Sequence, residues 1–260
     1  MNRPLLARRH ALVATLAGLG GGAWCADAPL LLAGESLPPF TFERERAPAG
    51  LHWELCERLM QGLGRPVRWV QMPWRRALLD MEAGQLDGII GTTRGHLNER
   101  EAQMLFANEP LSHVSTHFVS LSSRPFRFDG LFMLRGLRVA VLGGYAHSPD
   151  FMAAGYFQRQ TASSHRQCLR MLLAGRVDVA LVDLAATRYF IHAEQGGERL
   201  FVDPHPVGRG QLLLGLSRSA RHQELATQFD AALRAFKRGP AYAALLKRYG
   251  LQRADVEALA

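Results

Sequence analysis

Two groups of polar side chains that could bind a small ligand each follow a short apolar run. Thr92, Thr93 and Arg94 come after the run LDGII and a glycine, and Asp183 comes after the run VDVALV. Hydroxyl and guanidinium groups hydrogen-bond to carboxylates, whereas an aspartate attracts a cation. The two groups could therefore form the two sides of one binding site.

The two apolar runs belong to a repeat. Residues 81–90 read MEAGQLDGII, and residues 172–181 read LLAGRVDVAL. Gly84 and Gly175 stand where a helix ends with a left-handed residue, and the runs after them are typical of strands buried between helices. A helix that returns through a glycine into a buried parallel strand is half of a doubly wound sheet. Because ligands bind beyond the carboxyl ends of such strands, the repeat predicts two α/β units that share one ligand site.

Other segments fit the same α/β scheme. Cys56 and Cys168 each lie on an apolar helical face, which predicts two buried, unpaired thiols. Asp87 and Asp178 fit turn structure better than chemistry. The alternative to two lobes is one continuous sheet that uses the same helix–strand corner twice. The further predicted strands and helices lie at residues 30–33, 50–63, 67–71, 137–142 and about 150–158, with a polar strand within 110–126 and a helix beginning near 184.

The first 26 residues differ from the rest of the chain. Arg3, Arg8 and Arg9 precede the apolar run ALVATLAGLGGGAW, and small residues follow it near Cys25. A basic head, a short apolar stretch and a small-residue exit are typical of a secretory signal peptide, which predicts an exported protein. Two alternatives stay open: lipid attachment at Cys25, which the bulky residue before it disfavours, and twin-arginine export.

The composition argues against several classes of protein. Removal of residues 1–26 takes away three arginines and no acidic residue, so the formal charge falls from +8 to +5. The arginines are scattered along the chain, which does not indicate a nucleic-acid surface. His113 and His117 could ligate zinc on a helix, but the alternating pattern around them predicts a strand, on which they would lie roughly 13 Å apart. We therefore expect no metal and no cofactor.

A series of short motifs then carries a resemblance. In chain order they are PPF at 38–40, the helix after Gly50, WR at 74–75, AGQLD at 83–87, NER at 98–100, LFANEP at 105–110, LRVAVLGG at 137–144, AGRVD at 174–178 with Asp183, and GPAY and KRY between 239 and 249. In the order and spacing of these motifs, residues 30 to 250 resemble the bacterial periplasmic solute-binding proteins of the polar amino-acid type. These proteins are the type II two-lobe receptors of ABC importers.

The resemblance implies two doubly wound α/β lobes joined by a two-strand hinge, with a ligand between them. It places the first part of lobe 1 in residues 27–115, lobe 2 in 116–207, and the return to lobe 1 with the C-terminal helices in 208–260. It implies a periplasmic monomer without catalytic activity. Such a receptor would capture an amino acid or a related carboxylate and deliver it to an inner-membrane ABC permease.

The resemblance also implies ligand contacts. It matches Arg100 to the arginine that binds the ligand α-carboxylate, and Asp183 to the acid that holds the α-ammonium group. Trp74 matches the aromatic residue that covers the ligand side chain. The other positions that it places near the ligand are Thr92, Thr93, Arg94, Glu35, Phe40, Tyr145 and His147.

Three departures from the family pattern affect the expected ligand. Arg94 stands where the family usually has a hydroxyl, and one residue is inserted before Arg100. The segment YAH, which contains Tyr145 and His147, replaces a loop that is usually rich in Ser and Thr. The cleft should therefore be bulkier, more aromatic and more basic, which favours a ligand that is aromatic or has a second acidic group.

Simpler roles for the same residues stay open. Arg100 can pair with nearby acids on a solvated helix, and Trp74 can pack in the core. Asp183 can cap the helix that begins near Leu184, because an aspartate there accepts hydrogen bonds from free N–H groups.

Two other functions also stay open. One is an enzyme of the cyclohexadienyl-dehydratase kind, with Asp183, Glu35 or His147 as the general acid. The other is a ligand-sensing accessory module, which would bind the same solutes as a receptor but signal to a sensor instead of a permease.

Overall fold

The computed structural model describes residues 28–94, 104–143 and 148–257 of the chain. Strands and helices alternate through most of these ranges, as the α/β prediction requires. The strands are β1 (Leu30–Gly34), β2 (Phe42–Arg44), β3 (Ala47–Ala49), β4 (Val67–Gln71), β5 (Gly88–Thr92), β6 (Met104–Phe106), β7 (Ser112–Leu121), β8 (Arg138–Leu142), β9 (Gln158–Ala162), β10 (Val179–Asp183), β11 (Leu200–Val202) and β12 (Gly208–Ser217). The helices are α1 (Leu51–Gly62), α2 (Trp74–Glu82), α3 (Pro149–Ala153), α4 (His165–Leu173), α5 (Leu184–Ala193), α6 (Ala220–Arg238), α7 (Pro240–Arg248) and α8 (Arg253–Val256).

The first lobe is built around β1. This strand pairs in parallel with β4 on one side and with β5 on the other, and β12 runs antiparallel to β5. Leu30 and Leu32 of β1 pack with α1 in a core that also contains the buried thiol of Cys56. The two-sided burial of β1 explains why its sequence, LLLAG, is continuously apolar.

The second lobe is built in the same way around β8. This strand pairs in parallel with β9 and β10, and β7 runs antiparallel to β10. Cys168 of α4 is fully buried in this core, beside Ala140 and Val182. Both cysteines are free thiols, as the helical spacing predicted, and they lie in different cores.

The strands β7 and β12 join the two lobes. Backbone hydrogen bonds run without a break from β4 to β9 in the order β4-β1-β5-β12-β7-β10-β8-β9. The first part of β7 pairs with the first part of β12, from Ser112↔Leu212 to Thr116↔Gly208. Beyond this pairing, β7 continues into the second sheet and β12 into the first. This arrangement is the two-strand hinge expected from the sequence.

In each lobe, the aspartate of the repeat forms hydrogen bonds with a residue of the neighbouring strand. Asp87 accepts a hydrogen bond at Oδ2 from the backbone N–H of Leu31, and Asp178 accepts one from that of Arg138, both at 2.8 Å. The backbone N–H of each aspartate donates in return to the carbonyl of the same partner residue, at 2.9 Å. This confirms that the two aspartates have a structural role.

The helix predicted at about residues 150–158 is wrong in its second half. α3 ends at Ala153, and Gln158 begins the edge strand β9. The prediction failed because Phe151, Ala154 and Phe157 are spaced like one helical face, but they enter the same core from a helix and from the extended segment after it.

We predict that the glycines of the repeat are needed for their backbone conformation alone. Gly84 and Gly175 have φ angles of 71° and 67°, and a Cβ added to either would meet no atom within 4 Å. Gly84→Ala and Gly175→Ala should each lower the free energy of unfolding by about 1–2 kcal/mol, because other L-residues adopt this conformation at that cost. Chemical denaturation measures the change.

Gly62→Ala is the matched control. Gly62 lies in α1, its added Cβ would also meet nothing within 4 Å, and its φ is not positive. This substitution should raise the free energy of unfolding by about 0.5–1 kcal/mol. Equal effects at all three glycines would contradict the conformational explanation.

Candidate functional site

A cleft of about 800 Å³ lies between the two lobes. Its walls include residues that directly follow four parallel strands: Glu35 after β1, Met72 after β4, Gly143 after β8 and Ser163 after β9. The carboxyl ends of strands from both lobes therefore open into one space. This is where ligands bind in open α/β sheets.

The second-lobe wall of the cleft is completed by α4 and α5. Ser164 caps α4 by accepting a hydrogen bond from the Gln167 N–H at 3.1 Å. Arg166 pairs with Glu194, which also accepts a hydrogen bond at 3.0 Å from Nη2 of Arg170. Glu194 thus contacts two guanidinium groups, and of these three residues Arg166 and Glu194 line the cleft.

Glu35, which lines the cleft, contacts Trp74 at the start of α2. Oε1 of Glu35 accepts a hydrogen bond from the Trp74 backbone N–H at 2.7 Å. The N-cap residue of α2 is Pro73, which has no side-chain acceptor, so Glu35 satisfies a helix-terminal N–H and places a negative charge at the positive end of the helix dipole. Both residues also line a pocket of about 40 Å³ beside the cleft.

Asp183 ends β10 and begins α5. Its Oδ1 accepts a hydrogen bond from the Ala186 N–H at 2.9 Å, which confirms the predicted helix cap. Oδ2 is buried and makes no hydrogen bond of standard geometry within the described residues. With only 7% of the residue exposed, desolvation raises the pKa of Asp183 from 3.8 to about 7, although the nearby backbone groups of Ala186, Ala185 and Ser115 oppose this shift. Asp183 itself does not line the cleft, but Ala186 of the same helix does.

The family follows from the sequence match. Residues 31–252 match the model of the bacterial extracellular solute-binding proteins, family 3. The chain belongs to this family. No curated protein matches the sequence.

Solved structures share the fold of this family member. A histidine kinase sensor domain with similarity to periplasmic binding proteins is 21% identical with a TM-score of 0.68, covering 86% of this chain and 96% of that chain. Holo ArgBP from T. maritima is 22% identical with a TM-score of 0.62, covering 85% and 95%. The substrate binding protein of an amino acid ABC transporter is 15% identical with a TM-score of 0.63, covering 85% and 98%. These likenesses show the fold of type II periplasmic binding proteins.

The last residue of β5, Thr92, and the two residues after it take different positions. Thr92 is 2% exposed, and its hydroxyl has no partner among the described residues. Thr93 is half-buried. Arg94 is exposed, lies over the Phe106 ring at 5.4 Å and donates from Nη2 to Oδ1 of Asn108 at 2.8 Å. Its guanidinium group is thus held by residues of its own lobe.

Phe40 lies behind the cleft surface. It is 1% exposed and stacks on His52, with the ring centroids 4.6 Å apart. Nε2 of His52 lies 2.9 Å from Oγ of Ser112, at the start of the hinge. Burial lowers the pKa of His52 to about 3, so the imidazole is neutral. Both rings line the pocket beside Trp74.

Three of the ligand contacts implied by the resemblance lie outside the described residues. They are Arg100, Tyr145 and His147. The predicted signal peptide and Cys25 also lie outside them. The described residues thus bring Glu35, Trp74 and Phe40 together around one pocket, whereas Asp183 is buried at the end of β10 in the other lobe.

Sequence reasoning missed the contributions of α4 and α5 to the cleft. Ser163, Ser164, Arg166, Tyr189 and Glu194 all line it. A signal for the first two was present, because serines before an amphipathic helix are typical helix caps. The sequence did not show that these serines follow a strand, because the strand before them, QRQTA, is mostly polar.

Two searches of the described residues complete the description of the site. They contain no group of three or more His, Cys, Asp or Glu side chains that could hold a metal ion. None of the helices in the described ranges has the length and apolar character needed to cross a bilayer.

We predict that Asp183 lowers the stability of the protein at neutral and alkaline pH. Its pKa is raised in the folded state, so the folded protein holds the proton more tightly than the unfolded chain, and stability falls as pH rises from about 4 to about 7. Asp183→Asn keeps the helix cap and removes the charge. The variant should be more stable than the native protein at pH 8 by at most about 4 kcal/mol, the energy that corresponds to the raised pKa.

Thermal or chemical unfolding at pH 4 and pH 8 measures this difference. It should be near zero at pH 4, where the neutral carboxyl and the amide are alike in shape and charge. Asp129→Asn, at an exposed position, should show no such pH dependence. A stability difference that is the same at both pH values would contradict the burial argument.

Proposed function

We propose that this family 3 protein is a periplasmic receptor that closes its two lobes on a small zwitterionic or acidic solute. The observation that carries the proposal is the buried carboxyl group of Asp183, one oxygen of which has no hydrogen-bond partner among the described residues. Asp183 caps α5, and Ala186, Tyr189 and Phe190 of that helix line the cleft. An unpaired buried carboxylate is costly, and a ligand ammonium group would remove that cost by pairing with it. The proposal follows from this chemistry together with the family membership.

The ligand carboxylate would bind Arg100 in this proposal. The support is the NER motif, with its guanidinium group suited to bidentate carboxylate binding. A zwitterion held by Arg100 and Asp183 would connect the two lobes, and its binding energy would favour their closure by hinge motion.

The rest of the ligand would be aromatic or would carry a second acidic group. Trp74 and Glu35 supply one wall of the small pocket, and Phe42, Tyr189 and Phe190 supply apolar surface in the cleft. Arg166 and Arg170 supply positive charge near Glu194. An aromatic ring of the ligand would stack on this apolar surface. An acidic group of the ligand would be attracted to the two arginines.

The lobes would divide at residues 115/116 and 207/208, after a signal peptide in residues 1–26. The hinge pairing of Ser115 with Arg209 and of Thr116 with Gly208 supports these boundaries. In this proposal the exported protein is a monomer that delivers its solute to an inner-membrane ABC permease. Recovery of a sensor protein instead of a permease in cross-linking experiments would favour the sensory role.

We predict that Arg100→Ala abolishes binding without changing the fold. A ligand for this test is first identified with a thermal-shift screen over amino acids, dicarboxylates and aromatic acids. A ligand that binds only the folded state raises the melting temperature. Calorimetry with the strongest stabiliser should then show no measurable binding by the variant, while its ligand-free melting temperature stays near the native value. Arg176→Ala, at an exposed turn, is the control, and unchanged affinity in Arg100→Ala would refute the assignment.

A second candidate function is supported by the pKa of Asp183. A carboxylic acid with a pKa of about 7 is suited to general acid catalysis near neutral pH. Asp183 would then be the general acid of a cyclohexadienyl dehydratase-like reaction. Incubation with prephenate and arogenate separates the two functions, since a receptor binds without turnover, whereas product formation that is lost in Asp183→Asn would establish the enzyme.

A further inference from the structure

The helix α5 contacts both lobes. Ala186 and Phe190 pack in the core of the second lobe. Ala185 and Tyr189 pack instead against the core of the first lobe. Residues three and four apart share a face of a helix, so Ala185, Arg188 and Tyr189 form one face directed at the first lobe. We call this face the α5 contact face.

Three aromatic rings meet at the α5 contact face. The Tyr189 ring lies 5.8 Å from the ring of Phe42 and 6.2 Å from that of Tyr249. Phe42 and Tyr189 both line the cleft, from opposite lobes. Tyr249 is fixed in the first lobe, because its hydroxyl donates to Oε1 of Glu54 at 2.6 Å and accepts from the Gly50 N–H at 2.8 Å.

Two polar contacts flank the rings. Nη2 of Arg44, on the β2–β3 hairpin, donates to the Tyr189 hydroxyl at 3.2 Å. Nε of Arg188 lies 3.4 Å from Oδ1 of Asp255 in α8. Both guanidinium groups are exposed, so these contacts add little energy by themselves. They show that Tyr189 and Arg188 of this face also make polar contacts with the first lobe.

We propose that Tyr189 is a positioning residue that limits how far the empty cleft can open. The rings of Phe42 and Tyr189 touch across the cleft, so the lobes cannot swing further apart without separating them. Asp183 is the N-cap residue of α5, so the carboxyl group proposed to bind the ligand lies at the start of the same helix. The contact face would keep that group near the opposite wall before any solute arrives.

The inference uses the proposed function only for the role of Asp183. The contact itself involves only protein side chains, and it is tested without a ligand. Failure of the test would leave the receptor proposal intact, and failure to find a ligand would leave the contact intact.

Small-angle X-ray scattering of the ligand-free protein tests the proposal. Tyr189→Ala should increase the radius of gyration, because losing aromatic pair contacts shifts the equilibrium towards open conformations by a factor of about 2–10. Tyr189→Phe keeps the rings in contact and should match the native profile. Tyr156→Ala, which removes an exposed aromatic ring elsewhere in the second lobe, is the control.

A second variant, Tyr189→Leu, guards against misfolding. It keeps an apolar side chain against the first-lobe core but removes the ring that meets Phe42 and Tyr249, so it should also increase the radius of gyration. If Tyr189→Ala folds with the native scattering profile, or if Tyr156→Ala changes the profile as much, the proposal is wrong. If Tyr189→Ala does not fold, an unchanged profile of Tyr189→Leu overturns it.

Discussion

The pairing of β7 with β12 is the constraint on which the architecture depends. These strands pair from Ser112↔Leu212 to Thr116↔Gly208 and then separate into different sheets. Each lobe has its own parallel strands and its own core. The hinge and the face of α5 connect the lobes, and the carboxyl ends of β1, β4, β8 and β9 open into a common cleft.

Helix termini supply much of the chemistry around that cleft. Glu35 satisfies the first turn of α2, Ser164 caps α4 and Asp183 caps α5. Each of these hydrogen bonds stabilises the start of a helix beside the cleft. Asp183 differs because one oxygen remains unpartnered among the described residues, so burial of this carboxyl group disfavours its charged form.

Much of the lobe structure could be predicted from the sequence because its signals are local. Gly84 and Gly175 mark helix ends by the conformation that they adopt, and Asp87 and Asp178 follow them at fixed spacing. The edge strand β9 could not be predicted, since its residues are mostly exposed and polar. The role of Tyr189 was also hidden, because its partners Phe42 and Tyr249 are distant in sequence. The helix cap of Asp183 was one of the roles that the sequence allowed, and the structure confirms it, whereas its contact with a ligand stays a prediction.

Hydrogen exchange measured by mass spectrometry tests the central claim that one ligand contacts both lobes. The measurement compares the protein alone with the protein saturated by the strongest stabiliser from the thermal-shift screen. The account predicts slower exchange at the strand ends near residues 35–42 and 71–74 of the first lobe, together with residues 183–190 of the second. Protection confined to one lobe, or to surfaces away from the cleft, would contradict it.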